Sequence, residues 1–69
     1  MGDKTKEVLQ ALRGKCEYVE GDWAMVYLDN ARPGSMNEYS FRACLAALAK
    51  QGVYQVVDGF AWGKVKMTD

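Results

Sequence analysis

Apolar residues near the start of the chain recur at helical spacing. They stand three and four positions apart within residues 3–13, and they are Val8, Leu9 and Leu12. Asp3 or Thr5 can cap the first turn, and Gly14 stands where such a helix ends. The pattern predicts an amphipathic helix over residues 3–13.

A second helical pattern covers residues 38–51. Its apolar stripe is formed by Phe41, Cys44, Leu45 and Leu48. Asn37 is a favourable N-cap, and Met36 and Phe41 are spaced as a hydrophobic staple. Gly52 suits the left-handed residue that follows the last turn. We expect this helix to pack its stripe against the first helix and against the strands that follow.

After the second helix, the pattern changes to that of strands. Residues 53–57 and 60–67 predict two strands, and Asp58-Gly59 between them is a strong turn dipeptide. Gly63 interrupts the second strand and indicates a bulge or a close backbone approach. The end of the chain therefore predicts a β-hairpin.

Residues 15–28 leave two interpretations open. Gly21-Asp22 lies between two apolar runs, which favours a hairpin with a II′ turn, and the aromatic and β-branched residues around it favour strands. The same stretch also fits a short helix over residues 22–31, with Asp22 as its cap. Residues 29–35 include the only proline and predict a loop.

Length and composition limit the possible architecture and location. A chain of 69 residues is one domain, residues 1–69, and 49% hydrophobic residues supply a core without metals or disulfides. No apolar run is long enough to span a bilayer, and the charged residues 1–6 are unlike a signal peptide. These features predict a cytoplasmic protein with no membrane partner. The net charge is zero, so any binding of nucleic acid depends on local charge asymmetry.

The set of reactive side chains argues against catalysis. The chain has no histidine, so neither Ser35 nor Ser40 can be activated by one. Its two cysteines, Cys16 and Cys44, lie far apart and cannot supply the ligands of a structural zinc site. The glycine-containing residues 59–63 lack the lysine and hydroxyl residue of a phosphate loop. We therefore expect no enzyme activity, no metal and no cofactor.

Residues 36–67 resemble the third helix and the wing of winged helix-turn-helix proteins. In that family the helix is preceded by an apolar residue and a polar N-cap, and an apolar residue and a basic residue follow inside the helix. A Leu-x-x-Leu pattern and a charged last turn come next, and then a glycine and the first strand of the wing. The residues in register with this pattern are Met36, Asn37, Phe41, Arg42, Leu45, Leu48, Lys50, Gly52 and Val53. The resemblance implies an α+β fold, a small winged helix-turn-helix domain, in which residues 22–31 form the second helix.

The same resemblance implies a small regulator that binds double-stranded DNA, with a homodimer as its expected state. Residues 38–51 would act as the recognition helix, and the hairpin over residues 53–67 would act as the wing. The side chains expected to contact DNA are Tyr39, Ser40, Arg42, Ala43, Ala46, Lys50, Lys64 and Lys66. The small size would suit a regulator from a phage, a plasmid or another mobile element.

The hairpin interpretation of residues 15–28 implies a different architecture, α-β-β-α-β-β with a small antiparallel sheet. The function would then be that of a non-enzymatic protein-interaction module or an inhibitor, because aromatic anchors and a neutral surface favour protein partners. The aromatic residues concerned are Trp23, Tyr27, Tyr39, Tyr54 and Trp62. A helix at residues 23–28 supports the winged fold, whereas a strand there removes the argument for a recognition helix.

Overall fold

A helix, two strands, two helices and two further strands follow one another in the computed structural model, which describes residues 1–59 and 61–68. In chain order, these elements are α1 (Asp3–Gly14), β1 (Cys16–Glu20), β2 (Trp23–Tyr27), α2 (Leu28–Ala31), α3 (Glu38–Lys50), β3 (Tyr54–Asp58) and β4 (Trp62–Lys66). The strands form an antiparallel sheet in the order β1-β2-β4-β3. The α+β class expected from the sequence is confirmed.

Alternation along the central strands divides the sheet into two faces. The buried residues of these strands are Ala24 and Val26 on β2, and Gly63 and Val65 on β4. Facing them are the buried stripes of α1 and α3, formed by Val8, Leu9, Leu12, Phe41, Cys44, Leu45 and Leu48. Both predicted stripes are confirmed, and the core lies between the helices and the inner face of the sheet.

Residues 16–27 form a β1-β2 hairpin, so the helix considered for residues 22–31 is wrong over most of its length. Glu20 pairs with Trp23 across the turn, and Gly21 has a φ of 62°, as the first central position of a II′ turn requires. The residues of β2 are alternately half-buried and buried, which is the period of a strand. The second helix of the winged helix-turn-helix arrangement is therefore not formed by these residues.

A single helical turn, α2, replaces the first part of the loop predicted for residues 29–35. Leu28 and Ala31 are buried in the core, and the Leu28 N–H donates a hydrogen bond to the Ala61 carbonyl oxygen at 2.9 Å. These tertiary contacts hold a turn of helix in a stretch whose local sequence favours irregular structure.

The bounds of α3 agree with the prediction to within one residue. The Asn37 Oδ1 accepts a hydrogen bond from the Ser40 N–H at 2.8 Å, so the predicted cap is confirmed. Met36 and Phe41 are both buried, and Gly52 has a φ of 78° just after the helix. Capping signals and the apolar stripe therefore define this helix together.

The final hairpin forms as predicted, with small shifts in its bounds. β3 begins one residue later than the strand predicted over residues 53–57, and β4 is shorter than the strand predicted over residues 60–67. Residue 60 of that prediction lies outside the described residues. Gly59 supplies the turn, with a φ of 49°.

Gly63 allows a close approach, but by a side chain, the Tyr54 ring, and not by the backbone expected from the sequence. The Tyr54 ring lies against Gly63, and a Cβ added at Gly63 would overlap the ring. The bulge lies instead in β3, where the pairing register shifts between Val56 and Asp58. Glycine at this position therefore lets a buried tyrosine approach the neighbouring strand.

Candidate functional site

The exposed side of α3 carries most of the residues expected to contact DNA. Tyr39 is 84% exposed, and the other exposed members of the set are Arg42, Ala43, Ala46 and Lys50. These residues stand at helical spacing opposite the buried stripe. The structure therefore brings the helical part of the predicted site onto one side of one helix.

Local contacts already engage two groups that a DNA complex would use. The Arg42 Nη2 atom lies 3.1 Å from the Glu38 Oε1 atom, in an ion pair one helical turn apart. The Ser40 N–H donates to the Asn37 side chain, and Ser40 itself is half-buried. The positive charge of Arg42 is therefore balanced within α3, and the Ser40 N–H already has an acceptor.

Lys64 and Lys66 lie on the opposite side of the sheet from α3. They alternate along β4 with Gly63 and Val65, which are buried towards the helices. Because successive residues of a strand point to opposite faces, both lysines belong to the outer face of the sheet. The expected DNA contacts therefore do not form one surface, since the sheet separates the lysines of β4 from the residues of α3.

The outer face of the sheet collects aromatic side chains from distant parts of the chain. Strand pairing and alternation define this face as Tyr18, Glu20, Trp23, Met25, Tyr27, Gln55, Asp58, Trp62, Lys64 and Lys66. Tyr27 pairs with Trp62, and their ring centroids lie 5.2 Å apart at an interplanar angle of 66°. This edge-to-face contact fixes the two rings against each other. Because the helices pack on the inner face, the outer face stays open in the described part of the chain.

A hollow of about 260 Å³ lies in the outer face, with walls from all four strands. Its side chains include Tyr18, Glu20, Trp23, Met25, Gln55 and Lys64. The Tyr18 hydroxyl donates a hydrogen bond to the Glu20 carboxylate at 3.3 Å. The hollow therefore combines apolar walls with an ammonium, a carboxylate and an amide at the surface, which suits a partner surface of mixed polarity.

The charges of the outer face are balanced. Lys64 and Lys66 are matched in number by Glu20 and Asp58. Surfaces that bind nucleic acid are much more positive, because they must neutralise phosphates. Protein interfaces instead combine aromatic residues and methionine with a polar rim. The composition of the outer face is therefore closer to that of a protein interface.

A second cavity, of about 190 Å³, lies between α3 and β3. Phe41, Leu45 and Tyr54 are among its apolar lining residues, and the charged residues Asp29, Arg32, Glu38 and Arg42 also line it. Tyr54, which the sequence analysis grouped with exposed anchors, is buried because it lies against Gly63. Burial raises the pKa of the Tyr54 hydroxyl above its usual value, because the charged phenolate is poorly solvated there.

Residues 1–59 and 61–68 contain neither a metal-binding cluster nor a membrane-spanning helix. This part of the chain has no cluster of three or more cysteine, aspartate or glutamate side chains that could hold a metal ion. None of its helices combines the length and the apolar composition needed to cross a membrane. Cys44 is a buried core residue, as expected, and Cys16 is a half-buried free thiol.

The pattern of β2 explains why sequence reasoning missed the outer face. Trp23, Met25 and Tyr27 alternate with Ala24 and Val26, so apolar residues occupy both faces of the strand. A continuous apolar run is typical of a strand covered on both sides, and it does not reveal which face stays open. The only sequence signal for the open face is the size of its residues, since Trp23, Met25 and Tyr27 are large whereas Ala24 and Val26 on the other face are small.

Comparison with known proteins gives no match: the chain is similar to no protein-family model, no curated protein and no solved structure. The winged helix-turn-helix resemblance of residues 36–67 therefore stays a prediction.

Proposed function

We propose that this chain is a non-enzymatic protein-interaction module that binds a partner protein through the outer face of its sheet. The observation that carries the proposal is the open outer face itself, on which Trp23, Met25, Tyr27 and Trp62 lie together. A contiguous patch of large apolar side chains on a small domain is a feature of interaction surfaces. A bound partner would bury the apolar residues of the outer face, as the helices bury those of the inner face.

The aromatic side chains are suited to act as binding anchors. Trp23, Tyr27 and Trp62 are each half-buried, and the latter two hold each other in an edge-to-face contact. Side chains that are already restrained lose little conformational entropy when a partner binds. Tryptophan and tyrosine in such positions supply most of the binding energy of protein interfaces.

The charged residues of the outer face supply orientation. Lys64 and Lys66 lie on a central strand, whereas Glu20 and Asp58 lie on the two edge strands. A partner with acidic groups at the centre of its contact surface and basic groups at its edges complements this arrangement. Such complementarity sets the docking register and the association rate more than the affinity.

Site-specific photo-crosslinking in the cells that produce the protein tests this proposal. A benzoylphenylalanine residue replaces Lys64 on the outer face in one variant and Lys6 on the exposed side of α1 in the control. We expect position 64 to give a discrete crosslinked protein, because its side chain would lie inside the interface. Position 6 should give none.

Competition with untagged protein makes the crosslinking result specific. Excess wild-type chain should suppress the crosslink at position 64, and excess chain carrying Trp23→Ala should suppress it much less. No discrete product from position 64, or equal products from both positions, would contradict the proposal.

Binding of double-stranded DNA through α3 is a second candidate function. The observation in its favour is the exposed side of α3, where small residues at Ala43 and Ala46 allow close approach and Tyr39 and Lys50 extend outward. Arg42 on the same side has the geometry to read guanine once it leaves Glu38. This candidate keeps only the helix of the expectation drawn from residues 36–67, because the strand at Trp23–Tyr27 replaces the second helix of a winged helix-turn-helix arrangement and the lysines of β4 lie on the other side of the sheet.

A titration of fluorescent duplexes at low salt separates the two candidates. Under the protein-interaction proposal, random-sequence duplex DNA should not bind in the micromolar range. Micromolar binding that is lost in Arg42→Ala/Lys50→Ala and kept in Lys64→Ala/Lys66→Ala would favour DNA binding through α3 instead. The paired variants remove the same number of positive charges, so net charge alone cannot explain a difference.

The cytoplasmic location, the mobile-element origin and the homodimer inferred from the sequence stay predictions.

A further inference from the structure

The two edge strands of the sheet are protected to different degrees. β1 carries Glu17 and Glu20, and its pairing register shifts between Cys16 and Tyr18. Charged residues and bulges are the usual means by which an edge strand avoids pairing with another chain. β3 also has a charged residue, Asp58, and a register shift between Val56 and Asp58, but both lie at its end, and positions 54–57 carry no charge. The edge of β3 is therefore the less protected of the two.

The main chain of β3 is free to pair along its outer edge. The Val53 carbonyl oxygen accepts a hydrogen bond from the Lys66 N–H at 2.9 Å, which directs this residue and Gln55 towards β4. By alternation, Tyr54 and Val56 direct their N–H and C=O groups away from the sheet. Val56 is also 66% exposed, and the bulge of β3 begins only after it. An extended strand can therefore continue the ladder here.

Helix α3 lies beside this edge with small side chains towards it. Ala46 and Ala49 are exposed and line the cavity between α3 and β3, together with Val56. The cavity, about 190 Å³, is larger than the ~150 Å³ that accommodates benzene in an apolar protein cavity. A strand added to β3 would therefore bring its inner-face side chains to a hollow that has both apolar and charged lining residues.

We propose that two copies of this chain pair antiparallel through their β3 strands, with the two-fold axis close to Val56. Each copy offers the occupant that the other requires, an uncharged extended segment with exposed valine side chains. Pairing turns two four-stranded sheets into one continuous sheet and brings the two α3 helices side by side. An isologous contact of this kind closes on itself and needs no third copy.

Charge supports a second copy as the occupant. The net charge of the chain is zero, so two copies do not repel each other over long distances. The α3 helices would run antiparallel, and each begins with Glu38 and ends with Lys50. Glu38 of one helix, which also lies 3.1 Å from Arg42 of its own helix, therefore lies towards Lys50 of the other helix. The dimer also joins two outer faces into one bivalent surface, although its formation does not depend on the proposed function.

The test measures mass by light scattering across a range of protein concentrations. Val56→Lys places like charges across the two-fold axis, and Val19→Lys is the matched control on the edge of β1, since Val19 is 58% exposed. We expect wild type and Val19→Lys to approach twice the chain mass of 7.7 kDa, and Val56→Lys to stay at the chain mass. Circular dichroism establishes that both variants keep the fold.

A charge exchange provides a second variant set. Lys50→Glu should weaken the dimer, and Glu38→Lys/Lys50→Glu should restore it relative to Lys50→Glu. A wild-type chain that stays monomeric at all concentrations, or a dimer disrupted by Val19→Lys and not by Val56→Lys, would overturn the proposal.

Discussion

At the scale of single residues, the contact between Tyr54 and Gly63 links β3 to β4 on the inner face. Tyr54 is 3% exposed, and its ring occupies the space where any other residue at position 63 would place a Cβ. Tyr54 also lines the α3-β3 cavity. Two measurements follow from it, one on packing and one on ionisation.

Gly63→Ala should destabilise the protein by about 1–3 kcal/mol, the usual cost of an overpacked core. The added methyl group overlaps the Tyr54 ring, so the ring or the strand must move. Gly14→Ala is the control, because a Cβ at Gly14 meets no atom within 4 Å. Urea denaturation of the three proteins measures the difference. Equal stabilities for Gly63→Ala and wild type would show that the ring does not occupy this space.

Tyr54→Phe should reduce the loss of stability at alkaline pH. Burial raises the pKa of Tyr54 in the folded state above its usual value of 10.0, so above about pH 10 the unfolded chain releases this proton first. The contribution of Tyr54 is therefore complete below that pH and is lost as the pH rises through the folded-state pKa. Denaturation at about pH 8 and about pH 11 should show a smaller drop for Tyr54→Phe. The same drop in both proteins would contradict the assigned burial.

At the scale of elements, predictability depends on whether the signals are local. α3 was predicted to within one residue, because its cap, its staple and its apolar stripe all lie within one short stretch. The β1-β2 hairpin stayed ambiguous, because apolar residues on both faces of β2 remove the alternation that identifies a strand. α2 corresponds only to the end of the helix considered for residues 22–31, and residues 29–35 were predicted as a loop, because this turn depends on burial of Leu28 and Ala31 by residues far along the chain.

The side chain of Asn37 caps the first turn of α3, and its contribution to stability can be measured by substitution. Asn37→Ala should lower the free energy of unfolding by about 1 kcal/mol, because the Ser40 N–H loses its acceptor. Asn37→Asp should leave stability close to that of wild type, since aspartate caps as well as asparagine and suits the helix dipole. Chemical denaturation measures both variants. An Asn37→Ala variant as stable as wild type would mean that the side-chain cap contributes nothing.

At the scale of the whole molecule, the sheet separates two surfaces that the sequence could not assign to opposite sides. Lys64 and Lys66 were grouped with the α3 residues because both lie in one stretch of sequence that resembles a helix and a wing. Only the pairing of β4 with β2 shows that the lysines share a face with Trp23 and Met25. Strand pairing between distant segments is what a single sequence specifies least directly, so the outer face emerged only from the structure.

The most direct test of the central claim compares two aromatic residues, one on each of the two surfaces. Trp23 lies on the outer face, and Tyr39 lies on the exposed side of α3 at 84% exposure. The measurement is the affinity for the partner protein identified at position 64, by titration with wild type, Trp23→Ala and Tyr39→Ala. We predict that Trp23→Ala weakens binding by roughly 30-fold or more, which corresponds to ~2 kcal/mol, and that Tyr39→Ala leaves it unchanged. Loss of binding in Tyr39→Ala with full binding in Trp23→Ala would place the functional surface on α3 and contradict the account.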